Sequence, residues 1–182
     1  MKFELRRPIS SFESQALAHL DAAYNLARWL VRDDQVAQDM VQEAYLRALN
    51  YYDTFHGDDI RPWLLRILRN TCYTWLARNN ARKDDVEFDE QRDSEYLESS
   101  FTRPETDPET LLARKEQRTQ LQQAIDGLPA VYREALILRE MEELSYEDIA
   151  LVAEIPLGTV MSRLARARVL LRKALLQKGE KP

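Results

Sequence analysis

Between Ile60 and Lys83 the chain carries six basic side chains and no acidic one, and the stretch Ile155 to Gly179 repeats that ratio. In the first stretch Arg66, Arg69, Asn70, Tyr73, Thr74 and Arg78 are interleaved with Trp63 and Trp75. A guanidinium follows a phosphodiester backbone and an unstacked base lies on an aromatic plane, so this mixture suits single-stranded nucleic acid. In the second stretch Arg163, Arg166 and Arg168 are spaced by Thr159, Met161, Ser162 and Ala165. Short side chains let a helix approach base edges while arginines reach phosphates, a pattern suited to a duplex groove. The plain alternative for both is an amphipathic helix with a solvated basic face, and for Trp63 and Trp75 it is core packing.

These residues need elements to carry them, and the periodicity is helical throughout. Apolar positions recur at three and four residues in Leu17, Leu20, Tyr24, Ala27, Val31 and again in Val36, Met40, Val41, Ala44, Leu49. A third run, Leu64, Ile67, Leu68, Thr71, Cys72, Trp75, begins just after Pro62, which suits a first helical turn. Three such helices predict an N-terminal bundle of about 80 residues. Periodicity is lost across residues 84–110 and resumes at Leu111, continuing through Leu121, Ala124, Ile125 and Leu128. The Leu128-Pro129 step breaks it, because the residue before proline avoids the helical region. Val131–Arg139, Ser145–Ala153 and Thr159–Leu176 then complete a second bundle of roughly 70 residues. The fold expected is all-α: two small helical bundles, 1–83 and 111–182, joined by an acidic flexible linker.

The last two helices form a unit. Ser145-Tyr146-Glu147-Asp148 reads as a capping box, with Ser145 accepting from the third helical N–H and Asp148 reaching back. A turn at Glu154-Ile155-Pro156 leads to a helix starting near Gly158-Thr159, whose Val160, Leu164, Ala167, Leu171 and Ala174 make the buried stripe. Two helices joined by so short a turn form the helix-turn-helix that seats a recognition helix in the major groove.

Net charge is −5 over 182 residues, which at first argues against a nucleic-acid partner. The acids are concentrated, however: residues 84–109 carry eleven against Arg92 and Arg103, while 1–83 and 110–182 each carry twelve bases against ten acids. Two basic units on an acidic tether therefore describe the charge better than its sum. A lone Cys72 excludes an internal disulfide and favours a reducing cytoplasm. No signal-like N-terminus or membrane-length apolar run is present, so membrane insertion is not expected. An enzyme would need a nucleophile with its base, a metal cluster or a phosphate loop; His19 and His56 stand alone, and Asp33-Asp34 and Asp58-Asp59 read as helix-boundary charges. Neither catalysis nor a metal or cofactor is expected.

Leu128-Pro129, Tyr132-Arg133, the run Glu142–Ala150, and Ile155-Pro156-Leu157-Gly158-Thr159-Val160 followed by Ser162-Arg163-Leu164 and Arg166-Ala167-Arg168 resemble region 4 of bacterial extracytoplasmic-function (ECF) sigma factors, of the sigma-70 family. The turn residue is Glu154 where that family usually carries glycine, and Met161 and Ala165 stand where it is often basic or bulky. Asp39-Met40-Val41-Gln42-Glu43-Ala44-Tyr45-Leu46-Arg47-Ala48 resembles region 2.2, and Pro62–Asn70 resembles regions 2.3 to 2.4. The resemblance spans residues 12–83 and 111–176.

The resemblance implies an alternative sigma factor that binds core RNA polymerase and directs promoter-specific initiation. By it, Asp39, Gln42, Glu43 and Arg47 meet the β′ clamp helices, and the C-terminal unit meets the β flap. Phe55, His56, Trp63, Arg66, Arg69, Asn70, Tyr73, Thr74 and Arg78 meet the −10 element, with the loop Tyr51–Arg61 and the helix start holding a flipped base. Thr159, Met161, Ser162, Arg163, Ala165, Arg166 and Arg168 meet the −35 major groove. It also implies an anti-sigma partner. As a flexible coil the linker spans on the order of 30 Å; a segment threading toward the polymerase interior and an inert tether stand level. Two other classes make separable expectations. A conventional helix-turn-helix regulator binds a palindrome unaided as a dimer, and an adaptor that only captures an anti-sigma factor needs neither basic stretch.

Overall fold

The computed structural model of the chain describes residues 9–83 and 108–179, with side chains from 11 to 79 and from 115 to 176. The expected linker lies outside the described residues apart from 108–110, which open a helix. Among the described residues all regular structure is helical.

Helix α1 (Ile9–Ala16) leads through a 3-10 turn (Leu17–His19) into α2 (Leu20–Val31). Helices α3 (Asp34–Tyr51) and α4 (Ile60–Lys83) complete the first bundle. The boundary carboxylates act as caps: Asp33 accepts from the Val36 N–H at 3.0 Å and Asp59 from the Arg61 N–H at 2.9 Å. The cap at Asp59 starts α4 two residues ahead of Pro62, which then occupies the first turn, where its missing N–H costs nothing. The 3-10 turn shifts the helical phase, so Leu17 and Leu20 are exposed; the buried face of α2 is Ala23, Leu26, Ala27 and Leu30 instead. A smaller aromatic core seats α1, with the Phe12 ring 5.3 Å from Tyr52 and 6.5 Å from Tyr45, both edge-on.

The second bundle comprises α5 (Pro108–Asp126), α6 (Ala130–Leu136), α7 (Tyr146–Ala153) and α8 (Leu157–Gly179). Between α6 and α7 the chain makes a π turn (Ile137–Met141), and Glu143 takes a left-handed φ of 52°. Ser145 caps α7: its hydroxyl oxygen accepts from the Asp148 N–H at 3.0 Å and its O–H donates to the Asp148 carboxylate at 2.6 Å. The reciprocal bond of the box thus runs hydroxyl to carboxylate rather than backbone to carboxylate. Ser145→Ala is expected to lower stability by about 0.5–2 kcal/mol in chemical denaturation, the range for losing such a cap. Helix α8 begins at Leu157, a residue or two before the expected start, because the Pro156 carbonyl accepts from the N–H groups of Thr159 and Val160. Val160, Leu164 and Ala167 form its buried stripe, with Leu171 and Ala174 half-buried.

The two bundles are not separate bodies. Helix α4 lies against α7, α2 against α6, and one continuous apolar cluster runs from Leu65, Leu68 and Cys72 to Ile149, Val152 and Leu164. Burial pushes the Cys72 thiol up to about 12, which leaves it a small core residue rather than a nucleophile.

Candidate nucleic-acid interface

The residues expected at polymerase sit on α3. Asp39 and Gln42 are exposed, Glu43 and Arg47 are half-buried, and the last two form an intrahelical ion pair. Sequence reasoning missed Leu46, which is 64% exposed among them. It lies three or four residues from Gln42 and Glu43, at the centre of the same face, and its signal was an apolar residue out of phase with the Val36–Leu49 stripe.

The residues expected at the −10 strand fall into two groups. In the loop before α4, His56 is exposed, but Phe55 is only 6% exposed. The Phe55 ring lies 6.4 Å from Tyr52 and 5.3 Å from Trp63, so it supports the loop from beneath and offers no face to a base. That ring also explains Gly57, where a Cβ would come within 3.0 Å of it. Beside it a cleft of about 470 Å³ is lined by Ser14, His19, Gly57, Asp58 and Asp59 among others.

The second group runs along α4. Arg66, Thr74 and Arg78 are exposed, and the Thr74 hydroxyl donates to the Asn70 carbonyl at 2.7 Å. Arg69, Asn70 and Tyr73 instead point at the second bundle. Arg69 hydrogen-bonds the Glu134 carboxylate, and its guanidinium lies 4.5 Å over the Tyr73 ring. The Tyr73 hydroxyl donates to Glu134 at 3.3 Å. Asn70 donates to Glu154 at 3.2 Å, and Arg66 lies 3.7 Å from the same carboxylate. Burial lowers the basicity of Arg69, but the hydrogen bond and charge of Glu134 outweigh it and the net shift is upward. Tyr73 is pushed up to about 12, by burial first and then by the Glu134 charge. Its folded value lies above the usual 10, so any stability its neutral hydroxyl contributes is complete below pH 10 and is lost as pH rises toward 12.

The residues expected in the major groove lie on α8. Met161, Ser162, Ala165 and Arg166 are exposed together and Thr159 is half-buried, so five of the seven share an open surface. Ser162 donates to the Thr159 carbonyl at 3.0 Å. The other two have partners: Arg163 lies 4.0 Å from Glu134, and Arg168 donates to Glu140 at 2.8 Å. That bond to Glu140, more than any other influence, raises the basicity of Arg168.

Four acids therefore pair with these basic residues, Glu140 and three more, although none was singled out as a partner for them. Glu134 is 1% exposed and Glu142 6%, the latter accepting from Arg61 at 2.9 Å and from Asn25. Glu154 holds Arg66 and Asn70. A carboxylate directly before the apolar run Ala135-Leu136-Ile137-Leu138 was the available signal for Glu134. Arg133, also buried, donates to the carbonyls of Asp126 and Leu128 and so ties α6 to the turn before it. Among the described residues no group of His, Cys, Asp and Glu is placed to hold a metal ion, and no helix is long and apolar enough to cross a membrane.

Comparison with known proteins matches two segments of the chain to one family. Residues 16–82 match the family model for sigma-70 region 2, and residues 118–171 match that for sigma-70 region 4. The chain is 38% identical to the RNA polymerase sigma-H factor of Pseudomonas aeruginosa over 91% of its length and 86% of that protein. It is 36% identical to the ECF RNA polymerase sigma-E factor of Escherichia coli K12, over 71% of this chain and 69% of the relative. Among solved structures it superposes on the sigma factor RpoE, in complex with the anti-sigma factor NepR from Bartonella quintana. The TM-score is 0.73 at 26% identity, covering 95% of this chain and 100% of that one. CnrH, in complex with the cytosolic domain of CnrY, shares the fold at a TM-score of 0.62 and 22% identity, covering 96% and 92%. The chain belongs to the sigma-70 family, in its ECF branch: an alternative sigma factor that directs promoter-specific transcription initiation and has no catalytic chemistry of its own.

Proposed function

We propose a division of that work between two units, 1–83 and 111–182, tethered by 84–110. In the first, Asp39, Gln42, Glu43 and Arg47, with Leu46 added, dock on the β′ clamp helices of core polymerase. His56, Trp63, Arg66, Arg69, Asn70, Tyr73, Thr74 and Arg78 hold the opened −10 strand, with Phe55 supporting the loop. In the second, α8 enters the −35 major groove: Thr159, Met161, Ser162, Ala165 and Arg166 face the bases and nearby phosphates, and Arg163 and Arg168 flank them. The β flap receives the same unit. The chain works in the cytoplasm, and an anti-sigma factor is a natural partner because RpoE, its structural relative, is held by one.

The observation that carries this reading is the pair of acid-free basic stretches on different bundles, α4 and α8, each carrying exposed arginines. A single-site binder has no use for the first of them. The test is run-off transcription with core polymerase and this protein on a pool of promoter fragments. Defined transcripts are expected; their absence, with tight duplex binding by the protein alone, points to a conventional regulator. Within that frame Arg166→Ala is expected to weaken holoenzyme binding at the −35 element by about 1–3 kcal/mol. An unchanged −35 footprint removes Arg166 from the interface.

A further inference from the structure

We infer that Met161 and Ala165 are the thymine-selecting part of α8, an exposed apolar pair that reads C5-methyl groups in the −35 element. This role deepens the −35 contact proposed above and rests on it.

Angles around the helix sort its surface. At 100° per residue, Val160, Leu164 and Ala167 fix the buried side of α8, and the line opposite runs close to Gly158, Ser162 and Ala165. Met161 stands on the shoulder of that line with Arg168, and Arg166 stands on the other shoulder. Met161 is 50% exposed and Ala165 is exposed one turn further on, a spacing that puts their Cβ atoms about 5–6 Å apart. Gly158 sharpens the picture. A Cβ added there would meet nothing within 4 Å, and its backbone is not left-handed. Neither packing nor conformation within the chain calls for glycine at that point, although glycine weakens a helix. Its effect is clearance: with Ser162 and Ala165 it lets the axis of α8 come close to base edges, within reach of the longer Met161.

Side-chain chemistry then decides which edge is accepted. A thioether is only a weak acceptor, and Ala165 has no polar group at all. Neither can pair with the amino, carbonyl or ring-nitrogen groups of a base. The major-groove edge carries one apolar group besides these, the thymine methyl, and apolar side chains are its usual contact. Over that methyl, both surfaces leave water together. Over a G·C pair, the same two side chains would strip water from polar edge groups and return no hydrogen bond. Selection therefore has an attractive and a repulsive side. Four residues advance about 6 Å along α8, and base pairs are stacked about 3.4 Å apart. The two methyls read lie about two steps from one another.

The test uses holoenzyme assembled from core polymerase and the full chain, at one fixed salt concentration. Its DNA is a promoter fragment from the run-off pool with the −35 element randomised. Bound fragments are expected to be enriched in thymine, on either strand, at two positions about two steps apart. Deoxyuridine in place of either thymine removes the methyl alone, and should weaken binding about fourfold, the ratio that corresponds to one buried methylene. Met161→Gln keeps the length of an exposed side chain. It should cancel the deoxyuridine penalty at one position and shift enrichment there to adenine, whose N6 and N7 a carboxamide pairs bidentately. Arg166→Ala should weaken binding overall yet keep both penalties, since a guanidinium contact is indifferent to the methyl. The thymine role is overturned if no thymine is enriched, or if deoxyuridine leaves affinity unchanged. It is overturned equally if the penalty survives Met161→Gln, because a methyl sensed through DNA stiffness does not depend on that side chain. None of these results touches the −35 contact itself. That contact fails separately, and takes the thymine role with it, if randomising the element costs holoenzyme no affinity.

Discussion

Arg69→Ala is expected to act in opposite directions on the free chain and on the holoenzyme. In the free chain the change leaves Glu134 buried with the Tyr73 hydroxyl at 3.3 Å and Arg163 no nearer than 4.0 Å. Removing one member of a buried pair costs about 3–5 kcal/mol when the survivor stays buried. Here the survivor has an exit, because lifting α6 and α7 off α4 returns Glu134 to water. The loss is therefore capped by the free energy of the contact between bundles, and the remainder shows as opening: a larger radius of gyration and faster proteolysis between the bundles. At a promoter, on the −10 assignment proposed above, the same substitution removes a guanidinium from the face that holds the strand. Open complexes, measured as permanganate-reactive thymines in the −10 region, should fall by about 5- to 150-fold, the factor for 1–3 kcal/mol. Binding to the closed duplex should change much less. Arg69→Lys restores the charge but not the forked geometry, and should recover only part of the opening. A variant that opens promoters normally excludes Arg69 from the −10 contact, whatever happens to its fold.

Much of this architecture was legible because helices announce themselves by period and boundary. The stripes on α3, α4 and α8 match the buried residues, and Asp33, Asp59 and Ser145 cap helices as residues of their type do. The resemblance to a sigma factor rested on the same helices, and the similarity to known proteins supports it. What escaped the sequence was non-local. Leu17 and Leu20 carry the right spacing but sit across a 3-10 turn, and one tight turn rotates a face away from the core. Phe55 has the composition of a base-stacking residue, yet Gly57 lets the loop fold over its ring and bury it. Glu134 and Glu142 look like surface charge until α4 is laid against the second bundle. Charge summed by segment separated two basic units from an acidic tether; no sum along the chain says that two units of like sign will meet through three acids of one of them.

Leu164→Ala is expected to lower stability by about 2–5 kcal/mol, the range for truncating a fully buried leucine. The side chain is 1% exposed and lies between Val160 and Ala167 on the stripe that fastens α8 to the rest of the second bundle. The cavity closes poorly there, since Val160 and Ala167 are themselves fully buried and short. Because the apolar cluster runs on through Ile149 and Val152 to Leu68 and Cys72, the loss should appear as one cooperative transition. Two transitions in denaturant, with the first bundle unfolding at its wild-type midpoint, would mean that the clusters do not share their stability. Arg166→Ala serves as the internal comparison. It lies two residues away on the opposite face, exposed, and should leave the midpoint within about 0.5 kcal/mol while weakening the −35 contact. The ratio of the two effects separates a residue that holds the recognition helix from one that uses it. If both substitutions cost stability alike, the arginine belongs to the fold; if both spare it, α8 is not held by the stripe its spacing defines.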